Sequence, residues 1–455
     1  MPWQNDRATP FTNPRGVTVI PRLLTVAAIG ASAVVLIGAA HPTPGPPPHA
    51  NGHAYAYGHS KSHEAESVTA ALETPALWDE DDADADDPAI WVDEDDAENS
   101  LVITTAKEAG INVYDLEGQL VQHIDPKPAP GEDDAPGRYN NVDLIHGFEL
   151  DGDEVDLVVV SDKGMDDLGI FAIVDGELVE VTAPDAGRIF SASQEEVNGE
   201  HTAYGLATWQ DDDGAYALVS RNSETEVALL ELTEKGDGTV GWDLVRKLAL
   251  PAEFAMPDGS TWTTCDDPGQ YAQVEGIAVD EESGTAYLGQ ELVGIWKVDA
   301  DLSGEPELVD TAIEFGLPGT YDAELDECVY GENPGFGGDV LHTDIEGLTI
   351  YETDEGEGYL LASSQGDDSF AVYEIEDDND YVGSFRTADG VVDSTQHSDG
   401  ADVVNVSLPG FDGGLLVLQD GDNTPEGTDE ESTNFKYFAW EDVAENSGLD
   451  LDIAD

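Results

Sequence analysis

His342-Thr343-Asp344-Ile345-Glu346-Gly347-Leu348-Thr349-Ile350-Tyr351 sets two carboxylates two residues apart, then a glycine, then an alternating apolar run. Residues i and i+2 of a strand share a face, so Asp344 and Glu346 are expected to project together from the start of one strand. A same-facing acidic pair leading into a buried strand is costly unless something positive holds it. Versions of the pattern recur along the chain, and the recurrence defines the fold.

Six segments align by how they begin. They open at Asp86-Asp87-Pro88-Ala89-Ile90-Trp91-Val92, Asn140-Asn141-Val142-Asp143, Ala203-Tyr204-Gly205-Leu206, Val274-Glu275-Gly276-Ile277, the stretch quoted above, and Asp399-Gly400-Ala401-Asp402-Val403. Each opening is followed by further short β-branched and aromatic runs separated by Asp/Gly/Asn turns. Helical periodicity is nearly absent, apart from Trp440 to Asn446. Units of about 60 residues, each reading as four strands, predict an all-β six-bladed β-propeller with four-stranded blades. It is placed at residues 73–455, with residues 73–79 a source for the last blade's outer strand. The first strand of each unit lines the channel, so its early residues gather at one mouth.

Asp and Glu number 99 against 16 Lys plus Arg, a net charge of −83 over 455 residues. Such a surface repels itself unless salt shortens the Debye length to roughly 3 Å near 1 M. We read it as salt-adapted, as in a halophile. Nucleic acid and anionic membrane are excluded as partners; cations are favoured, and a small-molecule substrate and a monomer are expected. Arg15 and Arg22 precede an apolar run from Leu23 to Ala40 that ends Gly38-Ala39-Ala40, a small-x-small cleavage pattern. Residues 1–40 thus read as a secretory signal or a membrane anchor, 41–72 as a flexible linker, and the protein as secreted, anchored by that segment if it is retained. Cys265 and Cys328 are the only cysteines. In an exported chain a pair suggests a disulfide stapling loops, with two free thiols as the alternative.

The blade openings contribute Asp86, Asp87, Asp143, Glu275, Asp344, Glu346, Asp399 and Asp402, and strand ends add Glu291, Gln365, Asp420 and Asn423. So many carboxylates at one mouth must protonate or bind cations. An all-oxygen set suits several Ca²⁺ ions, and there is no His/Cys cluster for zinc; His342 and His397 are scattered. In so acidic a chain any one Asp is more often surface solvation than ligand. Of the sixteen cations twelve lie beyond residue 100. Lys107, Lys163 and Arg221 follow second strands, and Arg138 precedes a first strand. They read as an anion site beside the cations, or as partners of neighbouring carboxylates. No G-x-S-x-G, P-loop or H-E-x-x-H motif is present.

At these residues the sequence resembles the β-propeller phytase family, calcium-dependent phosphatases of inositol phosphates. The likeness is carried by Asp86 to Trp91, Asn140 to Asp143, Glu275-Gly276, Gly294 to Lys297, Asp344 to Thr349, Ser363 to Gly366, Tyr381 to Phe385, Gln419 to Gly421 and Asn434 to Lys436. It implies a six-bladed propeller with calcium at the channel mouth. Asp87, Glu275, Glu291, Asp344, Glu346, Gln365, Asp399 and Asp420 would be ligands; Glu275, Glu291, Asp344 and Glu346 would be the catalytic set. Tyr204, Lys107, Arg138, Lys163 and Arg221 would hold phosphate groups. The reaction implied is hydrolysis of phosphate monoesters of myo-inositol hexakisphosphate by metal-activated water, of the 3-phytase type. A propeller lactonase or esterase, and a non-catalytic calcium-stiffened binding propeller, are the alternatives. There are departures. Ser161-Asp162-Lys163 stands where the family has an arginine, Arg221-Asn222-Ser223-Glu224 where it has a Gly-Lys-Glu-Gly turn, and Gln290-Glu291 where it has an acidic pair. The insertions holding Cys265 and Cys328 precede units four and five, so their disulfide is expected near the active mouth.

Overall fold

The computed structural model describes residues 67–78, 83–211, 213–266, 269–323, 325, 327–353, 356–376, 378–425 and 430–454. The leader or anchor expected at 1–40, and residues 41–66 of the expected linker, lie outside the described residues.

Six antiparallel sheets form the blades. Blade one is Pro88–Trp91, Leu101–Thr105, Ile111–Tyr114 and Leu120–Ile124. Blade two is Tyr139–Leu150, Asp153–Asp162, Asp167–Val174 and Glu177–Glu180. Blade three is Ala203–Gln210, Ala215–Arg221, Glu226–Gly236 and Thr239–Ala249. Blade four is Val274–Asp280, Thr285–Gln290, Gly294–Asp299 and Glu307–Thr311. Blade five is Ile345–Glu352, Gly358–Ser364, Ser369–Glu374 and Tyr381–Thr387. Blade six is Ala401–Val404, Leu415–Asn423 and Ser432–Ala439. Its outer strand is Leu72–Glu73 continued by Leu77–Trp78, both antiparallel to Ser432–Ala439. An α-helix follows at Trp440–Asn446, as its periodicity suggests.

The first strands contact one another from blade one to blade six and back to blade one, closing the ring. The core is divided accordingly. Six apolar clusters each sit between two neighbouring blades, for example Ala89, Ile103 and Val113 of blade one against Val142, Val158 and Val160 of blade two. A blade covered on both faces needs near-continuous apolar strands. Leu101–Thr105 and Gly358–Ser364 are buried at every position for that reason. Each Val or Leu so buried contributes about 1.5–3 kcal/mol.

Two boundaries differ from the sequence reading. Ser67–Val68 already pairs, parallel, with Arg386–Thr387 at the edge of blade five, so the fold begins before residue 73. The cysteine-bearing insertions are not bare loops. Gly319–Asp322 and Glu327–Tyr330 form a hairpin with Cys328 in its second strand, and Phe254–Ala255 pairs with Thr261–Trp262 just before Cys265. Trp440 stacks on Tyr351 at 3.8 Å, fixing the helix against blade five.

Candidate functional site

In blades two to five the openings carry their side chains to the mouth through a bulge rather than simple alternation. Register slips between Tyr139 and Val142, Ala203 and Leu206, Val274 and Ile277, and Ile345 and Leu348. Asn140, Tyr204, Glu275 and Glu346 lie within these bulges, where a strand is free to re-aim a side chain. The glycine after Tyr204, Glu275, Glu346 and Asp399 has a packing reason. A Cβ on Gly276 would lie 1.8 Å from the Glu346 carbonyl oxygen, and one on Gly205 2.1 Å from that of Glu275. Gly347 and Gly400 meet the backbone of Asp399 and Asp86 in the same way. Each glycine thereby sets how closely the next blade's site residue approaches.

Oxygens of Glu275, Glu291 and Glu346 lie within 4.8 Å of one another. The Gln365 Nε2 donates to Glu346 Oε2 and to Asp399 Oδ1, both at 2.8 Å, joining Asp399 to the group. The Tyr204 hydroxyl donates to Glu275 Oε2 at 2.8 Å, and Asn140 Nδ2 donates to Glu275 Oε1 at 3.0 Å. Lys107 Nζ stands 2.6 Å from Asp84, 3.3 Å from Asp86 and 3.3 Å from Asp399. Burial, reinforced by Asp86 and Asp399, pushes Glu275 up to about 8. Burial also raises Asp344 to about 7, with Asp266, Asp399 and Glu314 adding to it. Asp86 rises to about 6 by burial against the pull of Lys107. Glu291 and Glu346 are pushed well above the ordinary glutamate value by burial, then by their acidic neighbours. Glu291 Oε1 and Asp86 Oδ2 are shielded from solvent with no hydrogen-bond partner among the described residues. An all-oxygen donor set with buried acceptors left unpaired fits a hard divalent cation.

The basic residues divide. Lys163 lies over the Tyr204 ring, 5.1 Å from its centroid. Burial, then Arg138, lowers its ammonium to about 8. Arg138 donates through Nε to Glu108 Oε1 at 2.9 Å. Arg221 Nε donates to the His201 carbonyl at 2.9 Å, and its guanidinium lies over Phe190. Lys107 sits among carboxylates, as the alternative reading of the cations allowed.

Not every predicted ligand joins the mouth cluster. Asp87 Oδ2 accepts the Val142 amide at 3.0 Å, Asp143 Oδ2 that of Thr208 at 2.6 Å, and Asp402 Oδ2 that of Ile90 at 2.7 Å. Each carboxylate ties its blade to a neighbour's first strand. Asp420 lies at a separate place, 2.9 Å from the fully buried Lys436 Nζ, which also pairs with Asp393. Asn423 donates to Ser432 nearby. His342 Nδ1 bonds Glu314 at 2.8 Å, whereas His397 contributes its backbone amide to Asp368. Gln290 turns inward, taking the Trp296 indole N–H and donating to the Ala272 carbonyl.

Nothing in the Asn140-Asn141-Val142-Asp143 opening marks Asn140 as a partner of Glu275, and sequence reasoning misses Asp84 and Asp266 altogether. Asp84 sits in an acidic run where nothing singles it out. The Cys265–Cys328 disulfide is formed, with an S–S length of 2.03 Å and Cα atoms 6.1 Å apart.

Comparison with known proteins follows the same lines. The family model described as Phytase matches residues 48–259 and 267–455. A 3-phytase of Bacillus subtilis (strain 168) is 34% identical over 389 residues, covering 84% of this chain and 85% of that protein. Solved structures that superpose on it include BBS1N in complex with ARL6DN, soaked with lead (TM-score 0.38, 11% identity, 77% of each chain). Another is the Myceliophteria thermophila Cps50 (Swd1) β-propeller domain (TM-score 0.35, 8% identity, 76% of this chain and 82% of that one). Superpositions at that level carry no argument. The family match over nearly the whole folded region and the Bacillus relative do: the chain belongs to the phytase family.

Proposed function

We propose that this protein is a secreted, calcium-dependent phytase that removes phosphate from myo-inositol hexakisphosphate. One observation carries the reading: an acidic triad with oxygens within 4.8 Å adjoins the Lys163–Tyr204 pair through the Tyr204–Glu275 hydrogen bond. Cation and phosphate sites thus share one mouth. Calcium held there would neutralise phosphate charge and lower the pKa of water.

The protein's own groups prepare the site. Gln365 fixes Glu346 against Asp399, while Tyr204 and Asn140 fix Glu275. Tyr204 stays a donor, because burial and then Glu275 push its phenol well above the ordinary value. Lys163 and Arg138 are positioned to receive phosphate oxygens, lysine as a point charge and arginine as a fork. A lactonase or esterase would use the carboxylates and leave Lys163 and Arg138 without a role. A non-catalytic binding propeller would not need them beside a carboxylate triad. A salt-rich extracellular setting is supported by the charge of −83 and by the disulfide.

The test is phosphate release from calcium phytate in high salt, with and without chelator. Release that stops when calcium is chelated and returns on its addition is expected. A folded sample that releases no phosphate, or releases it regardless of chelator, overturns the reading.

A further inference from the structure

The insertion before blade four carries Trp262, Cys265 and Asp266. Its course is fixed on two sides. Trp262 is buried, donates its indole N–H to the Leu317 carbonyl at 2.8 Å and packs on Phe315 at 4.8 Å. Three residues on, Cys265 is bonded to Cys328 of the second insertion. A small cleft sets Thr264 and Cys265 against Leu292, Glu314 and Thr343. Leu292 follows Glu291, and Thr343 precedes Asp344, so the staple delivers the next residue to the Glu291–Asp344 side of the triad.

Three further observations point to a role there. Asp266 is half-buried, and its charge acts on Asp344 more strongly than that of Asp399 or Glu314, and on Glu291 as well. Glu291 Oε1 on this side, and Asp86 Oδ2 of the 1% exposed Asp86 across the cluster, have no hydrogen-bond partner among the described residues. Gln290, the neighbour of Glu291, is turned into the blade and fully buried. The insertion brings an acid to the place where the blade offers a single one.

We propose that Asp266, held by the disulfide-stapled insertion, is a further carboxylate of the cation cluster on its Glu291–Asp344 side. The inference rests on the calcium reading above. Calcium chloride titrated by calorimetry into chelator-stripped wild type, Asp266→Asn, Glu346→Gln and the Cys265→Ser/Cys328→Ser double variant tests it. Asp266→Asn is expected to weaken the Glu346-sensitive binding about ten- to a hundredfold, and the double variant to shift it in the same direction by releasing the loop. Wild-type affinity in Asp266→Asn, with Glu346→Gln impaired, overturns the assignment of Asp266 alone. Wild-type binding that Glu346→Gln leaves unchanged overturns the cluster reading itself. Thermal unfolding separates a merely structural role. In chelator, Asp266→Asn should be at least as stable as wild type, because one repelling charge is gone, and should lose part of its stabilisation by calcium. An equal fall in Tm with and without calcium overturns the inference.

Discussion

Asp86 and Asp87 are neighbours in the chain but serve different layers of the channel. Asp86 turns to the mouth beside Lys107, whereas Asp87 accepts a backbone amide of blade two. Successive residues of an extended chain face opposite ways, so the two adjacent acids divide between the acidic cluster of the mouth and a tie to the next blade. Glu346 belongs wholly to the first. Glu346→Gln keeps shape and removes charge, and should lower kcat on phytate on the order of a hundredfold, with the loss measured under saturating calcium; near-normal turnover would confine Glu346 to structure. Lys163 gives a pH prediction. Burial lowers its ammonium to about 8, below the ordinary lysine value, so most of its charge is present at neutral pH and is lost as pH rises through that point. KM for phytate should rise about tenfold across this step, and Lys163→Arg, charged throughout, should flatten it.

At the scale of the strand, the recurring acid-glycine pair combines two jobs. The bulge aims the acid, and the missing Cβ lets the next blade come close. A Cβ on Gly276 would stand 1.8 Å from the Glu346 carbonyl oxygen, with backbone rather than a flexible side chain in the way. Gly276→Ala should therefore destabilise the fold by about 1–3 kcal/mol or more, read as a lower urea midpoint, and should lose activity more steeply than stability because it pushes Glu346 away from Glu275. The glycines were visible in sequence as a repeated signature. The bulges were not, because a strand with an inserted residue keeps the composition of a regular one. Asp344 and Glu346 do reach one site, but Glu346 arrives by the slip in register between Ile345 and Leu348, not by strict alternation.

For the whole molecule the question is what the concentrated acid does to stability. Glu275 near 8 and Asp344 near 7 are raised in the folded chain without metal. Folding thus favours their protonated forms, and their contribution is present at low pH and lost as pH rises through those values. In chelator, Tm should fall from about pH 5 to about pH 8. Saturating calcium should remove or reverse the slope, since a bound cation favours the ionised forms, adding about 2.7 kcal/mol for a site at 100 times its Kd. Differential scanning calorimetry in the two conditions checks both statements. Added sodium chloride should raise Tm up to about 1 M as the −83 charge is screened.

The propeller, the number of blades, the strands that open them, and the pairing of acid with glycine at those openings are legible along the chain alone. Those features are local: period, turn chemistry and the phase of a repeat survive in one dimension. Closure of the ring decided which acids meet. It gathered Glu275, Glu291 and Glu346 from two blades and left Asp87, Asp143 and Asp402 as ties between first strands. It set Asp420 beside Lys436, and a bond between two insertions brought Asp266 to Glu291 and Asp344. Such groupings depend on distances between segments far apart in the chain, and only the packed blades fix those distances.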